Sequence, residues 1–271
     1  MTVPERTDGA DDLADGRYVY CLVEPEGEPP ARLPVEGIDG ESPRVLAAGG
    51  VAAVVHETDT LYDSDDPATI RRWLLAHHRV VEAATDRFGT PIPFQFDVVV
   101  QGGDETVRSV LESAADEIEA AVTDVAGRRE YRIELLFEPD ATVPDPEGDL
   151  AALREQTEAA GEGTAFLLEK KLERKRTELR RERAAALAAD LEAAIDEVAV
   201  ATASVDGDRL GLGDDDRETV TQIAVLADHD REDDLGARLD PIADRSGVAV
   251  RFTGPWAPYS FVPDIDLEGG R

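Results

Sequence analysis

Cysteine is almost absent from this chain of 271 residues: Cys21 stands alone, so neither an internal disulfide nor a thiolate metal cluster can be built from it. It lies in Tyr18-Val19-Tyr20-Cys21-Leu22-Val23, where a small buried thiol is expected. Lysine is nearly as scarce, with only Lys170, Lys171 and Lys175. No run of 18 apolar residues occurs, and Met1 to Gly16 is acidic without an apolar stretch, so neither a membrane span nor a secretory signal is expected and the chain should stay in the cytoplasm. The phosphate-binding GxxxxGKS/T, the dinucleotide GxGxxG, and the GxSxG and HExxH patterns are also missing. With these go the usual sequence grounds for assigning a cofactor or a catalytic residue, and none is assigned.

Carboxylate is abundant instead. Sixty Asp and Glu against 28 Lys and Arg give a formal charge of -32. Such a chain repels itself in dilute salt, whereas at 1 M salt the Debye length shrinks to ~3 Å and most of that penalty disappears. The composition is that of a halophilic protein kept soluble by acidic groups. It argues against a nucleic-acid partner, which needs a basic patch, and against docking on an anionic membrane.

The pattern along the chain is mixed α and β. After an acidic tail over 1–16, expected to be disordered, residues 17–23 read as a strand and Glu24 to Gly40 as a connection. Arg44–Ala47 and Val51–Val55 flank Gly49-Gly50 as a hairpin. Asp66-Pro67 supplies an N-cap and first-turn proline for a helix whose stripe is Ile70, Trp73, Leu74, His77, Val81, Ala84 and Phe88. Pro91 to Val100 alternates as one edge strand with Ile92, Phe94, Phe96, Val98 and Val100 on one face. Asp104 is expected to cap a single helix ending at Gly127, near which a domain boundary is placed.

From 128 the order reads β-α-β-β-α-β, the ferredoxin-like plan. Its elements are a strand from Glu130 to Phe137, a loop from Pro139 to Asp149, a long helix from Thr164 to Val198, strands at Val198–Val205 and Val220–Ala227, a helix over Arg231–Arg245 that Pro241 should kink or shorten, and a strand at Val248–Thr253. The expected architecture is α+β in two domains, 17–127 and 128–253, followed by a tail over 254–271.

One segment runs against the chain's charge. Glu169 to Arg183 holds eight cations, Lys170, Lys171, Arg174, Lys175, Arg176, Arg180, Arg181 and Arg183, against four glutamates, a net +4. Two readings stand: a solvated helix with pairs such as Glu173 with Arg176 and Glu178 with Arg181, or a docking site for an acidic protein partner. His77-His78 lacks further metal ligands at suitable spacing, and His77 is expected to pack with its ring nitrogens satisfied. Asp214-Asp215-Asp216 lacks the ligand spacing of a calcium loop, and Gly211-Leu212-Gly213 reads as a turn.

The most unusual string is Phe252-Thr253-Gly254-Pro255-Trp256-Ala257-Pro258-Tyr259-Ser260-Phe261-Val262. It resembles the closing motif of the gas vesicle protein F/L family. Four further stretches follow that family's order: Tyr18-Val19-Tyr20, Ala76-His77-His78-Arg79-Val80-Val81, Pro91-Ile92-Pro93-Phe94-Gln95-Phe96, and Gly161-Glu162-Gly163-Thr164-Ala165-Phe166-Leu167. The chain departs from it in reading Gln95-Phe96-Asp97 for the common Arg-Phe-Gly and Ala257-Pro258 for a double proline.

The residues leave the F or L type open, with length and extended acidic loops leaning to L, and the resemblance implies a two-domain protein with a ferredoxin-like second half. It also implies a non-enzymatic accessory or minor structural protein, associated with gas vesicles, that binds the main shell protein and other accessory proteins during assembly. In the closing motif Trp256, Tyr259 and Phe261 either pin the C-terminal segment or face a partner. A small-ligand-binding or enzymatic α/β protein is the alternative that the residues alone leave open.

Overall fold

The computed structural model describes residues 15–138, 148–205, 217–263 and 265. The expected acidic tail up to 14, most of the loop from Pro139, and both Gly211-Leu212-Gly213 and Asp214-Asp215-Asp216 lie outside them. The chain divides into two compact units, Met1–Glu130 with Pro255–Arg271, and Tyr131–Gly254. The closing segment, read above as a separate tail, therefore belongs with the first unit.

The first unit is built on a five-stranded sheet. β1 (Gly16–Val23) lies at its centre and pairs antiparallel with β3 (Val51–Thr58), which pairs with β2 (Arg44–Ala48). Gly49 and Gly50 both take positive φ, 63° and 91°, the conformation a two-residue hairpin turn requires. On the other side of β1 run the short β4 (Ile92–Pro93) and β5 (Val99–Gln101).

The single strand expected over Pro91–Val100 is thus broken. The β1–β3 pair has a register shift between Val19 and Cys21, a bulge at Tyr20, and on the other side of β1 the segment between β4 and β5 leaves the ladder and turns through Asp97 at φ 69°. Phe96 joins the cluster under the first helix, while Val100 faces the opposite layer, so the predicted common face does not form.

Both faces of β1 are covered, which is why all eight of its residues are buried. Tyr18 and Tyr20 point to α1 (Pro67–Phe88), and Val19 and Leu22 to α2 (Asp104–Ser113). Asp66 caps α1 through its carboxylate, which accepts from the amides of Ala68 and Thr69. Leu74, expected on the inner stripe, is exposed; Ala76 and Val80 take the buried positions.

The helix expected from Asp104 to Gly127 is two, α2 and α3 (Ala115–Val125), parted at Ala114. Asp104 is not its cap, because Gly103 occupies that position. The Asp104 carboxylate instead accepts from Arg17 at 2.6 Å and from Arg44 at 2.8 and 2.9 Å, tying α2 to β1 and β2. The bonds from Arg44 and Arg17 outweigh partial desolvation and hold that carboxyl at about 2. Gly127, at φ 71°, follows the end of α3 as expected.

The second unit carries a four-stranded sheet in the order β7-β8-β6-β9, with β6 (Arg128–Phe137), β7 (Ala201–Ser204), β8 (Glu218–Asp228) and β9 (Val248–Trp256). Tyr131, Ile133, Leu135 and Phe137 alternate onto one face of β6, where they meet Leu187, Leu191 and Ile195 of α5 (Glu162–Asp196) and Leu235, Leu239 and Ile242 of α6 (Glu232–Ala243). Pro241 does not stop α6, which runs two residues further. One helix was not anticipated: α4 (Asp149–Ala159), which packs along α5 with Leu150 and Leu153 buried. At 35 residues α5 is about 52 Å long.

Candidate functional site

In the first unit a buried polar network links the aromatic residues of β1 to the histidines. The Tyr18 hydroxyl accepts from the Asp97 amide at 3.2 Å, so its own proton is free to go to His77 Nδ1 at 2.8 Å. By the same logic the Tyr20 hydroxyl accepts from the Ile38 amide at 3.1 Å and donates to His56 Nδ1 at 2.8 Å. With Nδ1 an acceptor, His56 carries its proton on Nε2 and gives it to Tyr62 at 2.8 Å. Both rings are therefore neutral.

Burial drives this choice. It holds both histidines at about 4, against 6.5 for a free imidazole. Burial also raises the hydroxyls of Tyr18 and Tyr20 far above the ordinary tyrosine value, and the Cys21 thiol with them. These groups hold their protons throughout the physiological range. His77 departs from expectation at one atom: Nε2 is buried without a well-formed hydrogen bond, with the Phe94 carbonyl the backbone group beside it.

The closing motif completes the cluster. Ala257 is buried among its members and Tyr259 packs against it, with its ring 6.4 Å from His77. Trp256 meets His78 edge-on at 4.8 Å. The fully buried Glu130 carboxylate accepts from the Ser260 amide at 2.7 Å and from the Ser260 hydroxyl at 3.0 Å. Phe261 is half-buried in a turn whose amide bonds to Pro258. Packing within the first unit accounts for Trp256 and Tyr259, and Glu130 is a residue the sequence reading missed. A lone glutamate at a strand start carries no signal of its distant serine.

Four of the five stretches that carried the resemblance thus meet around one core: Tyr18 and Tyr20, His77, Phe96 and Tyr259 lie in it, and Trp256 packs on the adjacent His78. Asp97, where the resemblance implies a glycine, sits at the positive φ that favours glycine, and its carboxylate accepts from the Tyr62 amide at 3.0 Å.

The basic segment splits into two sets on α5. Lys175 reaches Asp149 at 3.2 Å and Glu178 at 3.8 Å, Arg176 reaches Glu173 at 3.9 Å, and Arg183 donates to the Ser246 carbonyl and lies 5.0 Å over the Phe137 ring. Arg180 is half-buried with them. Lys170, Lys171, Arg174 and Arg181 are exposed. The expected pair of Glu173 with Arg176 forms, but Glu178 turns to Lys175 and not to Arg181.

Among the described residues no cluster of three or more His, Cys, Asp or Glu could hold a metal ion, and no helix is long and apolar enough to cross a membrane.

The first unit thus holds a buried polar network closed by the C-terminal motif, and the second unit carries an unusually basic helix. The family model for gas vesicle synthesis protein GvpL/GvpF matches residues 16–263. The chain belongs to that family, and with it to the proteins of gas vesicle formation.

It is 42% identical to gas vesicle protein L2 of Halobacterium salinarum, over 97% of this chain and 96% of that protein. It is 35% identical to gas vesicle protein L of Haloferax mediterranei, over 93% and 89%. Identity to gas vesicle protein F of Haloferax mediterranei is 24%. The crystal structure of GvpF from Anabaena superposes with a TM-score of 0.65 at 18% identity, covering 92% of this chain and 98% of that one, and shows that the fold is shared.

Proposed function

We propose that this protein is a non-enzymatic accessory or minor structural component of the gas vesicle, which binds the main shell protein and other accessory proteins in the cytoplasm while the shell assembles. The observation that carries this reading is the family match across residues 16–263. A gas-filled shell needs an apolar inner surface, and subunits bearing one would aggregate unless escorted before assembly. A chain with a formal charge of -32 stays soluble in concentrated salt and suits an escort. The neutral histidines, the proton-retaining tyrosines and the buried Glu130 are all engaged in packing and hydrogen bonds, which supports a binding role over catalysis.

In the same reading the second unit is a modified ferredoxin-like domain. Its strand order, β7-β8-β6-β9, and the placement of α5 and α6 against one face of β6 support it. The domain serves here as a scaffold for α5. Deleting the gene in a vesicle-forming host tests the function: cells without vesicles, or with few and misshapen ones, are expected, and normal vesicles in normal number would refute it.

A further inference from the structure

Among the described residues, the first half of α5 presents a face that no other element covers. Leu168, Leu172, Lys175 and Leu179 lie on the partly buried side of the helix. The opposite side, at 3.6 residues per turn, carries Phe166, Leu167, Lys170, Arg174 and Arg181, with Lys171 at its margin, and all six are exposed. Phe166 and Leu167 are 57% and 65% exposed, and among the described residues no large apolar side chain is more exposed than Leu167. Lys170 sits 5.8 Å over the Phe166 ring.

Arg174 donates from Nε to the Lys170 carbonyl at 3.4 Å, but the charges on this face make no ion pair among the described residues. Among the described residues no carboxylate lies within ion-pair distance of Lys170, Lys171, Arg174 or Arg181, although the chain has 60 acidic residues. Their neighbours on the inner side do pair within the chain. The stretch Gly161 to Leu167 is also the one part of the resemblance that the core of the first unit does not absorb.

We infer that this face docks an acidic amphipathic helix of a different gas vesicle protein. The stripe from Phe166 to Arg181 is about 22 Å long, so its complement is a rod of similar length. That rod would have apolar residues at one end and carboxylates spaced at three and four. Pairing with the same face of a second copy would set cations against cations. Salt also favours a mixed patch, because long-range attraction is screened at multi-molar salt while contact pairs and apolar burial persist.

The inference rests on the binding role proposed above, and the two can fail separately. The full-length chain is tested at multi-molar KCl against the main shell protein and each accessory protein of the same cell, purified singly, with affinities and melting temperatures measured together. Two variants are compared with the wild type: Lys170→Glu with Lys171→Glu, Arg174→Glu and Arg181→Glu, and Phe166→Ser with Leu167→Ser. For one partner both should weaken binding by about tenfold or more, as loss of a central contact cluster does, with melting unchanged. A synthetic peptide of that partner's acidic helix should then compete with it.

If the wild type binds a partner and both variants bind as tightly, the docking face is wrong and the binding role stands. If the wild type binds no vesicle protein, the binding role falls and takes this inference with it. Sedimentation showing a dimer that both variants dissolve would overturn the inference in favour of self-association. Should a charge-reversed chain fail to fold, Leu167→Ala with Arg181→Ala makes the same comparison at positions remote from the core.

Discussion

Acid should loosen the first unit in a pH range set by two buried histidines. His56 and His77 are held at about 4 in the folded protein and titrate at 6.5 when exposed. A folded value below the unfolded one means that the neutral ring contributes stability in full above pH 6.5. That contribution is lost as pH falls from 6.5 towards 4, because the unfolded chain takes up protons that the folded one refuses. Across this window each histidine adds a slope of about 1.4 kcal/mol per pH unit.

Near pH 5 each has withdrawn about 2 kcal/mol and the pair about 4, a large part of the 5–15 kcal/mol that stabilises a domain. For a unit of this size the melting temperature should drop by roughly 12–15 °C between neutral pH and pH 5. Protonation would also turn Nδ1 from acceptor to donor and break the bonds from Tyr18 and Tyr20. Asp104, held at about 2, acts in a separate window: its stabilisation is present above 3.8 and lost as pH falls from there to about 2.

Both tryptophans, Trp73 and Trp256, belong to the first unit, so tryptophan fluorescence melts report on it directly. Melts would be taken at constant multi-molar KCl from pH 7.5 to 5, on the wild type and on His56→Gln with His77→Gln. The double variant should be less stable at neutral pH and show a much shallower slope. A wild-type melting temperature that stays flat across this range, or a double variant with the wild-type slope, would refute the reasoning.

Three further perturbations have expected outcomes. Glu130→Ala removes the acceptor for both Ser260 bonds and should cost about 3 kcal/mol, as loss of charged hydrogen bonds does, with the closing motif becoming open to proteolysis. Gly37→Ala would place a Cβ 2.2 Å from the Tyr20 hydroxyl, displacing it from Ile38 and His56, and should destabilise by about 1–3 kcal/mol in denaturant titrations. Asp97→Gly should stay within about 1 kcal/mol of wild type, since relief of the left-handed backbone offsets the lost Tyr62 bond, whereas Asp97→Val should cost at least about 2 kcal/mol.

What was legible in the sequence was local. The Asp66 cap, the Gly49-Gly50 turn and the alternation of β6 each act over a few residues, and each is found where it was expected. What was not legible depends on partners far along the chain. No glycine or proline marks the break at Ala114, but the β2–β3 turn approaches there: a Cβ on Gly49 would lie 3.2 Å from Ala115 and 3.3 Å from Glu112. The strand breaks at Phe94–Asp97 across β1 from a bulge at Tyr20, and periodicity shows neither. Asp104 has the chemistry of a cap and the signal of one, yet two arginines from other elements claim its carboxylate. Of the eight basic residues proposed on α5, composition could name the group but not divide it. That needed partners outside the helix: Asp149 of α4 for Lys175, and Ser246 and Phe137 for Arg183.

The central claim is that the protein binds the shell protein during assembly. The most direct measurement is affinity purification of the tagged chain from vesicle-forming cells at multi-molar KCl, early in vesicle growth, with the main shell protein quantified in the eluate. The account predicts shell protein in clear excess over an untagged control. Shell protein at the level of the untagged control would contradict it.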